Sequence, residues 1–418
     1  MDLDFYYDIV CPYAYLASTR IEALAARTGT TLRWRPFLLG GVFQHHQAPQ
    51  VPAATWSVNR ARLGALDVLR QAERWGVALE FPGGHPRRTV EAMRLLTASP
   101  ESVRPALSAA LYRAYWRDGL DVSDRVVLGH IASEHGLEVQ IIDQQTIKDL
   151  LRANTDDAAR RGVFGAPSLF VGDRMWWGND RLHLVEEALG GSQAPKPGVA
   201  EMSLGSSDPA APLLTFFHDF SSPFSYLGST QVSRVADRCG ARLEWRPILL
   251  GALFKAIGTP NVPLFAMHQA RQDAMVRDMH DQARWLGVPF AVPEAFPLRT
   301  VTALRLAIVE PRLTQPLYRA AWVEGRDLGD PLVLGQVIEA EGFDPDLLPR
   351  ADAPQVKDAL RANTSLAEAA GAPGVPSFEV RLPGQDPLMV WGVDRLDLVA
   401  SMLGGWRPAI ETDATAPA

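Results

Sequence analysis

Apolar residues collect first in short, aromatic-rich runs. Leu3-Asp4-Phe5-Tyr6-Tyr7-Asp8 and Leu213-Leu214-Thr215-Phe216-Phe217-His218 each read as a strand, and each is followed by a proline and a stretch with helical spacing. Thr31-Leu32-Arg33-Trp34-Arg35-Pro36 and Arg242-Leu243-Glu244-Trp245-Arg246-Pro247 supply second strands. The pattern therefore opens twice as a βαβ unit, with parallel pairing through a right-handed crossover. From roughly residue 59 to 161, and again from 269 to 370, the spacing turns helical; Leu63, Leu66 and Leu69, for example, share one face. Strands resume at Ser168-Leu169-Phe170-Val171 and Ser377-Phe378-Glu379-Val380, directly after Ala166-Pro167 and Val375-Pro376. A proline entering a strand in this way is the expected setting for a cis bond.

The two halves match at a constant offset. Asp8-Ile9-Val10-Cys11-Pro12-Tyr13-Ala14-Tyr15-Leu16 is echoed 211 positions later by Asp219-Phe220-Ser221-Ser222-Pro223-Phe224-Ser225-Tyr226-Leu227. Trp34-Arg35-Pro36, Val51-Pro52 and Arg88-Thr89-Val90 recur at the same offset as Trp245-Arg246-Pro247, Val262-Pro263 and Arg299-Thr300-Val301. Later landmarks drift by a few positions, as loop insertions would make them; Trp177-Gly178-Asn179-Asp180-Arg181-Leu182 returns as Trp391-Gly392-Val393-Asp394-Arg395-Leu396. The repeat is a whole domain rather than a solenoid unit. The predicted organisation is a first domain over 1–190, a mobile Gly/Ser/Ala/Pro-rich linker over 191–212, a second domain over 213–405 and a frayed tail over 406–418.

Length and composition agree with more than one core. The chain has 418 residues, more than one hydrophobic core usually supports, with 47% hydrophobic and 21% charged residues. A formal net charge of −7 and no Lys/Arg cluster lack the basic footprint of a nucleic-acid binder. Lys occurs only at Lys148, Lys196, Lys255 and Lys357, so nearly all basic residues are Arg, a bias without chemical content. The acidic, strand-like opening and the lack of a run of eighteen apolar residues argue against a secretory signal and a membrane span. Cys11 and Cys239 are too few for a disulfide scaffold and suit a reducing cytoplasm.

Chemistry concentrates at one repeated place. Cys11 and Ser222 both follow the first strand and precede a proline suited to the first turn of a helix. Their side chains would face helix N-terminal amides, which favour negative charge and so a thiolate, their own or a bound one. A buried small cysteine and a helix-capping serine are the bland alternatives. Cys239, before Gly240 at a helix end, reads as structural, and adjacent His45 and His46 lack the spaced partners of a metal site. Trp116, Trp176, Trp177, Trp322 and Trp391 are either core packing or the walls of a flat apolar pocket.

The strand, the Cys/Ser-Pro-aromatic turn, the helical insertion and the later Gly-x-Pro-Ser strand together resemble the thioredoxin-fold family of 2-hydroxychromene-2-carboxylate isomerases and kappa-class glutathione transferases. The turn Asp219 to Leu227 is close to that family's active-site turn, and Gly162-Val163-Phe164-Gly165-Ala166-Pro167 with Met175 to Leu182 resembles its C-terminal signature. The resemblance implies an α/β architecture of two tandem DsbA-like thioredoxin domains, each with a helical insertion, and glutathione as cofactor. It puts Ser222 on the glutathione sulfur. Cys11 departs from the family serine and resembles the first cysteine of a DsbA-type turn, but Ala14 stands where a resolving cysteine would be needed. By the same resemblance Asn261 and Gln50 supply an amide, and Arg60 and Arg271 meet the glycyl carboxylate, with Arg271 and Asn261 serving Ser222; a solvated helix arginine is the alternative for Arg60 and Arg271. Ala166 and Val375 offer backbone to the cysteinyl part, and Asp180 and Asp394 recognise the γ-glutamyl amine, with a helix cap as the alternative for the two aspartates. The expected activity is isomerisation of an aromatic or conjugated small molecule by reversible thiolate addition. The alternatives are thiol-disulfide exchange or conjugation at a low-pKa Cys11, or one silent copy acting as a built-in partner in place of the family's homodimer.

Overall fold

In the computed structural model, which describes residues 2–191 and 196–411, both strand–helix–strand openings form, and with the same topology. In the first half, β1 (Asp2–Tyr7), β2 (Thr31–Pro36), β3 (Ser168–Val171) and β4 (Arg174–Trp177) make a sheet of order β2-β1-β3-β4. β1 runs parallel to β2 and antiparallel to β3, and β3 runs antiparallel to β4. In the second half, β5 (Leu213–His218), β6 (Arg242–Pro247), β7 (Ser377–Arg381) and β8 (Leu388–Trp391) repeat that order and those directions. The parallel pair forms because a helical segment, Pro12–Thr28 in one copy, carries the chain back along the sheet. The stretches read as helical insertions are helical, from Val90–Ala98 to Gln145–Arg160 and from Val301–Val309 to Pro354–Ala369.

The chain divides into two compact units. The first takes Met1–Thr55, Ala65–Ala194 and Met267–Asp278, and the second takes Trp56–Gly64, Pro195–Ala266 and Met279–Ala418. Each unit thus contains one copy plus a short segment numbered within the other, an exchange that sequence similarity between the copies cannot reveal. In the second unit, buried apolar residues form separate clusters. Leu214 and Phe216 pack with Val232, Phe378, Val399 and Met402 in one cluster, whereas the helical insertion builds another around Phe220, Leu304, Tyr318 and Trp322.

His218, at the end of β5, is fully buried, with its Nδ1 3.0 Å from the Tyr318 hydroxyl and its ring stacked on Phe216. Burial holds it neutral, bringing its pKa down from 6.5 to about 3. The unfolded chain therefore binds a proton that the folded chain refuses, and stability falls as pH drops from 6.5 towards 3. His218→Phe is expected to remove on the order of 4 kcal/mol of that acid-side loss, read as the difference between the two proteins in urea unfolding across this window.

The linker expectation needs correction. Residues 196–212 lack helix and regular strand but are tied to the second unit: the Gly198 N–H donates to Leu286 O (2.7 Å), Ala200 N–H to Thr230 O (2.8 Å), and Ser206 N–H to Ala241 O (2.8 Å). Gly205 pairs with Arg242 at a φ of +70°, where an added Cβ would lie 2.0 Å from Ala241 O. The composition that suggested mobility instead supplies close backbone approach. Residues 192–195 and, of the predicted tail, 412–418 lie outside the described residues; Trp406 packs on the second sheet's core and Arg407 binds Gln385 and Asp386.

Candidate functional site

Cys11 and Ser222 occupy the same local geometry. Each is the N-cap of the helix begun by the next proline, with φ/ψ of −94°/117° at Cys11 and −103°/119° at Ser222. The Cys11 thiol donates to Ala166 O at 3.0 Å, and the Ser222 hydroxyl donates to Val375 O at 3.2 Å. Both acceptors precede a cis peptide, Ala166–Pro167 and Val375–Pro376, at the positions where the sequence leads one to expect them. Ser222 Oγ also accepts from the Ser225 N–H at 3.2 Å, so the hydroxyl sits in the field of the helix's first amides. Both residues are buried, Cys11 at 7% and Ser222 at 6% exposure.

What aims these turns is a pair of buried carboxylates to which sequence reasoning gave no role. Asp8 accepts from Val10 N–H (3.2 Å), Leu39 N–H (2.9 Å) and Thr89 Oγ (2.8 Å). Asp219 repeats this with Ser221 N–H (2.9 Å), Leu250 N–H (2.8 Å) and Thr300 Oγ (2.7 Å). Burial raises both carboxyl pKa values, and the donated hydrogen bonds oppose it. The signal was present: Asp8 with Thr89, and Asp219 with Thr300, recur at one offset. Trp116 and Trp322 close each turn from the other side, their indole N–H groups donating to Ile9 O and Phe220 O at 2.8 Å. Both indoles are fully buried.

Electrostatics at Cys11 reverse one expectation. Burial pushes its thiol up from 9.0 to about 12, and the nearby Ala14 and Tyr13 N–H groups only partly offset this. The helix end is present, but desolvation outweighs it, so the low-pKa thiol read from the sequence is not what folds. Cys11 is a protonated donor that copies Ser222. The other free cysteine, Cys239, is partly buried and its pKa is also raised by burial. Iodoacetamide at about pH 8 is therefore expected to alkylate Cys11 far more slowly in the native chain than in the urea-unfolded one, since roughly a thousandfold less thiolate is present. Peptide mapping by mass spectrometry reads the ratio, and equal labelling would contradict it.

The remaining predicted residues fall unevenly. Gln50 and Asn261 take equivalent places: Gln50 Nε2 donates to Gly40 O at 3.2 Å, and the Asn261 amide oxygen lies against Gly251. Asp180 and Asp394 fold back over Gly178 and Gly392, whose φ of 110° and 106° and lack of a side chain leave room for the carboxylates. The Gly178 and Gly392 N–H groups bind Pro167 O and Pro376 O at 3.0 Å, placing each aspartate beside the proline turn. Asp180 pairs with Arg181 at 3.0 Å, and Asp394 with Arg395 at 3.4 Å.

The arginines are exchanged relative to expectation. Arg271 lies in the first unit, its guanidinium 5.4 Å from the Trp177 ring centroid and 6.0 Å from that of Phe164, two residues before Ala166. Arg60 lies in the second, 5.8 Å from the Trp391 ring centroid and 4.6 Å from that of Trp56. Arg271 thus accompanies Cys11 rather than Ser222, and Arg60 accompanies Ser222. Trp177 and Trp391 are each 38% exposed and wall these places, whereas Trp176 is buried. A cavity of about 630 Å³ among Tyr15, Arg20, Trp34, Trp75 and Arg113 includes none of the predicted site residues in its lining.

A family model described as "DSBA-like thioredoxin domain" matches residues 2–190 and 213–404. The chain belongs to this DSBA-like thioredoxin family. A 2-hydroxychromene-2-carboxylate isomerase of Pseudomonas putida is 30% identical over 207 residues, 46% of this chain and 95% of the relative. The Sphingobium xenophagum protein of the same name is 29% identical over 197 residues, 45% of this chain and 97% of the relative. Glutathione S-transferase kappa 1 of Rattus norvegicus is 27% identical over 206 residues, 45% of this chain and 90% of the relative. These relatives are enzymes about half as long as this chain, as a duplicated DSBA-like domain requires. Among the described residues no helix is long and apolar enough to cross a membrane.

Proposed function

We propose that this chain is a glutathione-dependent isomerase of the 2-hydroxychromene-2-carboxylate isomerase type, acting in the cytoplasm on an aromatic or conjugated small molecule. The observation that carries the reading is the Ser222 hydroxyl: a donor at a helix start, 3.2 Å from Val375 O, able to turn from that carbonyl to a glutathione sulfur. A charge-assisted bond of this kind favours the thiolate. Asn261, Asp394 and the Val375 backbone would hold the tripeptide, with Arg60 on its glycyl carboxylate; Gln50, Asp180, Ala166 and Arg271 are their counterparts around Cys11.

The chemistry then balances without an oxidant. The thiolate adds to the conjugated double bond, a C–S bond forms and the electron pair moves onto the carbonyl oxygen. The former double bond rotates as a single bond. The enolate collapses, the C–S bond breaks and glutathione leaves unchanged. Trp391, 38% exposed, is a suitable wall for a planar substrate. Cis/trans conversion of an arylidene pyruvate, followed with and without glutathione, tests the proposal, and turnover that ignores glutathione refutes it. Thiol-disulfide exchange at Cys11 is the poorer reading, because a thiol pushed up to about 12 yields little thiolate at neutral pH.

A further inference from the structure

The two units differ in what surrounds their arginine. In the first, Met267–Asp278 brings His268 against His46: the rings are parallel to within 7° with centroids 4.3 Å apart. His46 Nε2 lies 2.8 Å from Val163 O, His45 meets His46 edge to face at 5.1 Å, and Phe164 meets His268 at 5.9 Å. Arg271 lies three residues beyond His268, over Trp177 and Phe164. Among the described residues its side chain has no hydrogen-bond or ion-pair partner, and its Nε and the His268 Nδ1 are both buried without one. A half-buried guanidinium without an anion leaves a desolvation cost uncompensated. At the 211-residue offset, Ile257 and Ser57 stand for His46 and His268, so the second copy carries no such imidazole pair.

We propose that Arg271, His268 and His46 form a proton-linked carboxylate site of the first unit, with Trp177 and Phe164 as its aromatic wall. Burial first, and then the neighbouring His46 and Arg271, disfavour a proton on His268. A carboxylate seated on Arg271 reverses that local field, so His268 takes a proton from solvent as the ligand binds. Arg271 supplies the permanent attraction, and His268, stacked on His46, supplies the proton linkage. No covalent step is involved. The site deepens the glutathione reading by making the two units unequal: ligand binding consumes a proton in one and not in the other.

Benzoate is the probe, titrated calorimetrically into the full chain near pH 6 in two buffers of different ionisation heat, where proton uptake appears as a buffer-dependent enthalpy. Wild type is expected to bind benzoate with uptake of part of a proton. Arg271→Met should weaken binding by about tenfold or more, and His268→Gln should keep measurable binding while abolishing the buffer dependence. Thermal melts confirm that both variants fold. Absence of benzoate binding by wild type, unchanged affinity in Arg271→Met, or proton uptake that survives in His268→Gln overturns the inference. S-methylglutathione in parallel separates it from the glutathione reading. If that ligand binds and benzoate does not, this site falls alone; if benzoate behaves as expected and S-methylglutathione finds no site, the glutathione reading falls and this one stands.

Discussion

Ser222→Ala is expected to lower glutathione-dependent isomerisation by about two to three orders of magnitude, the usual loss when one preorganised donor is removed from developing or bound negative charge. The hydroxyl has two tasks: it accepts from the Ser225 N–H as a helix cap and it donates to Val375 O, the bond that would be handed to the sulfur. Losing the cap costs about 1 kcal/mol of stability, too little to unfold a domain, so the activity loss reads the donor. Cys11→Ser, by contrast, exchanges one protonated donor for another at the same helix start and should leave turnover nearly unchanged. Steady-state rates with and without glutathione for both variants give the answer. Full activity in Ser222→Ala with loss in Cys11→Ser would move the reaction to the first unit and to sulfur exchange.

Asp219→Ala should be the most damaging single change to the second unit's scaffold. It leaves the Ser221 and Leu250 N–H groups and the Thr300 hydroxyl without their acceptor in a fully buried place. Orphaned donors cost more than the unfavourable burial of the carboxylate returns, and we expect a net loss of about 3 kcal/mol in urea unfolding. Thr300→Ala removes only one of the three and should cost about 1 kcal/mol. The pH dependence has a definite sign. Because burial raises the Asp219 pKa above 3.8, ionising it in the folded chain costs stability as pH climbs through that range, after which the cost is constant. The gap between wild type and Asp219→Ala is therefore widest in acid. A gap that widened towards alkali would show that the carboxylate is held in its charged form by something stronger than its three donors.

Much of this was legible in the chain because the copies annotate each other. A strand, a Cys/Ser-Pro turn and a Gly-x-Pro-Ser strand at matching offsets identify the parallel βαβ opening and the later strand of each copy, whereas the sheet order and the fourth strand, Arg174–Trp177 and Leu388–Trp391, were not read. Three things were not legible. The pKa of Cys11 depends on competition between a helix end and burial, and sequence shows the first but not the second. The places of Arg60 and Arg271 depend on which unit receives Trp56–Gly64 and Met267–Asp278, information that two similar halves cannot carry. His46 was visible only as half of an adjacent pair with His45; its actual ring partner, His268, is 222 positions away and has no repeat equivalent to flag it. Asp8 and Asp219 are a different case, since their recurrence with Thr89 and Thr300 could have been used to pair them.

The hydrogen bond from Cys11 to Ala166 O has a consequence for durability. Peroxide attacks thiolates and climbs from sulfenic to irreversible sulfinic and sulfonic acids. A sulfhydryl kept protonated and tethered to a carbonyl scarcely enters that ladder. The first unit can therefore carry a sulfur atom where its twin carries an oxygen, through oxidative stress, without that atom becoming the point at which the protein is lost.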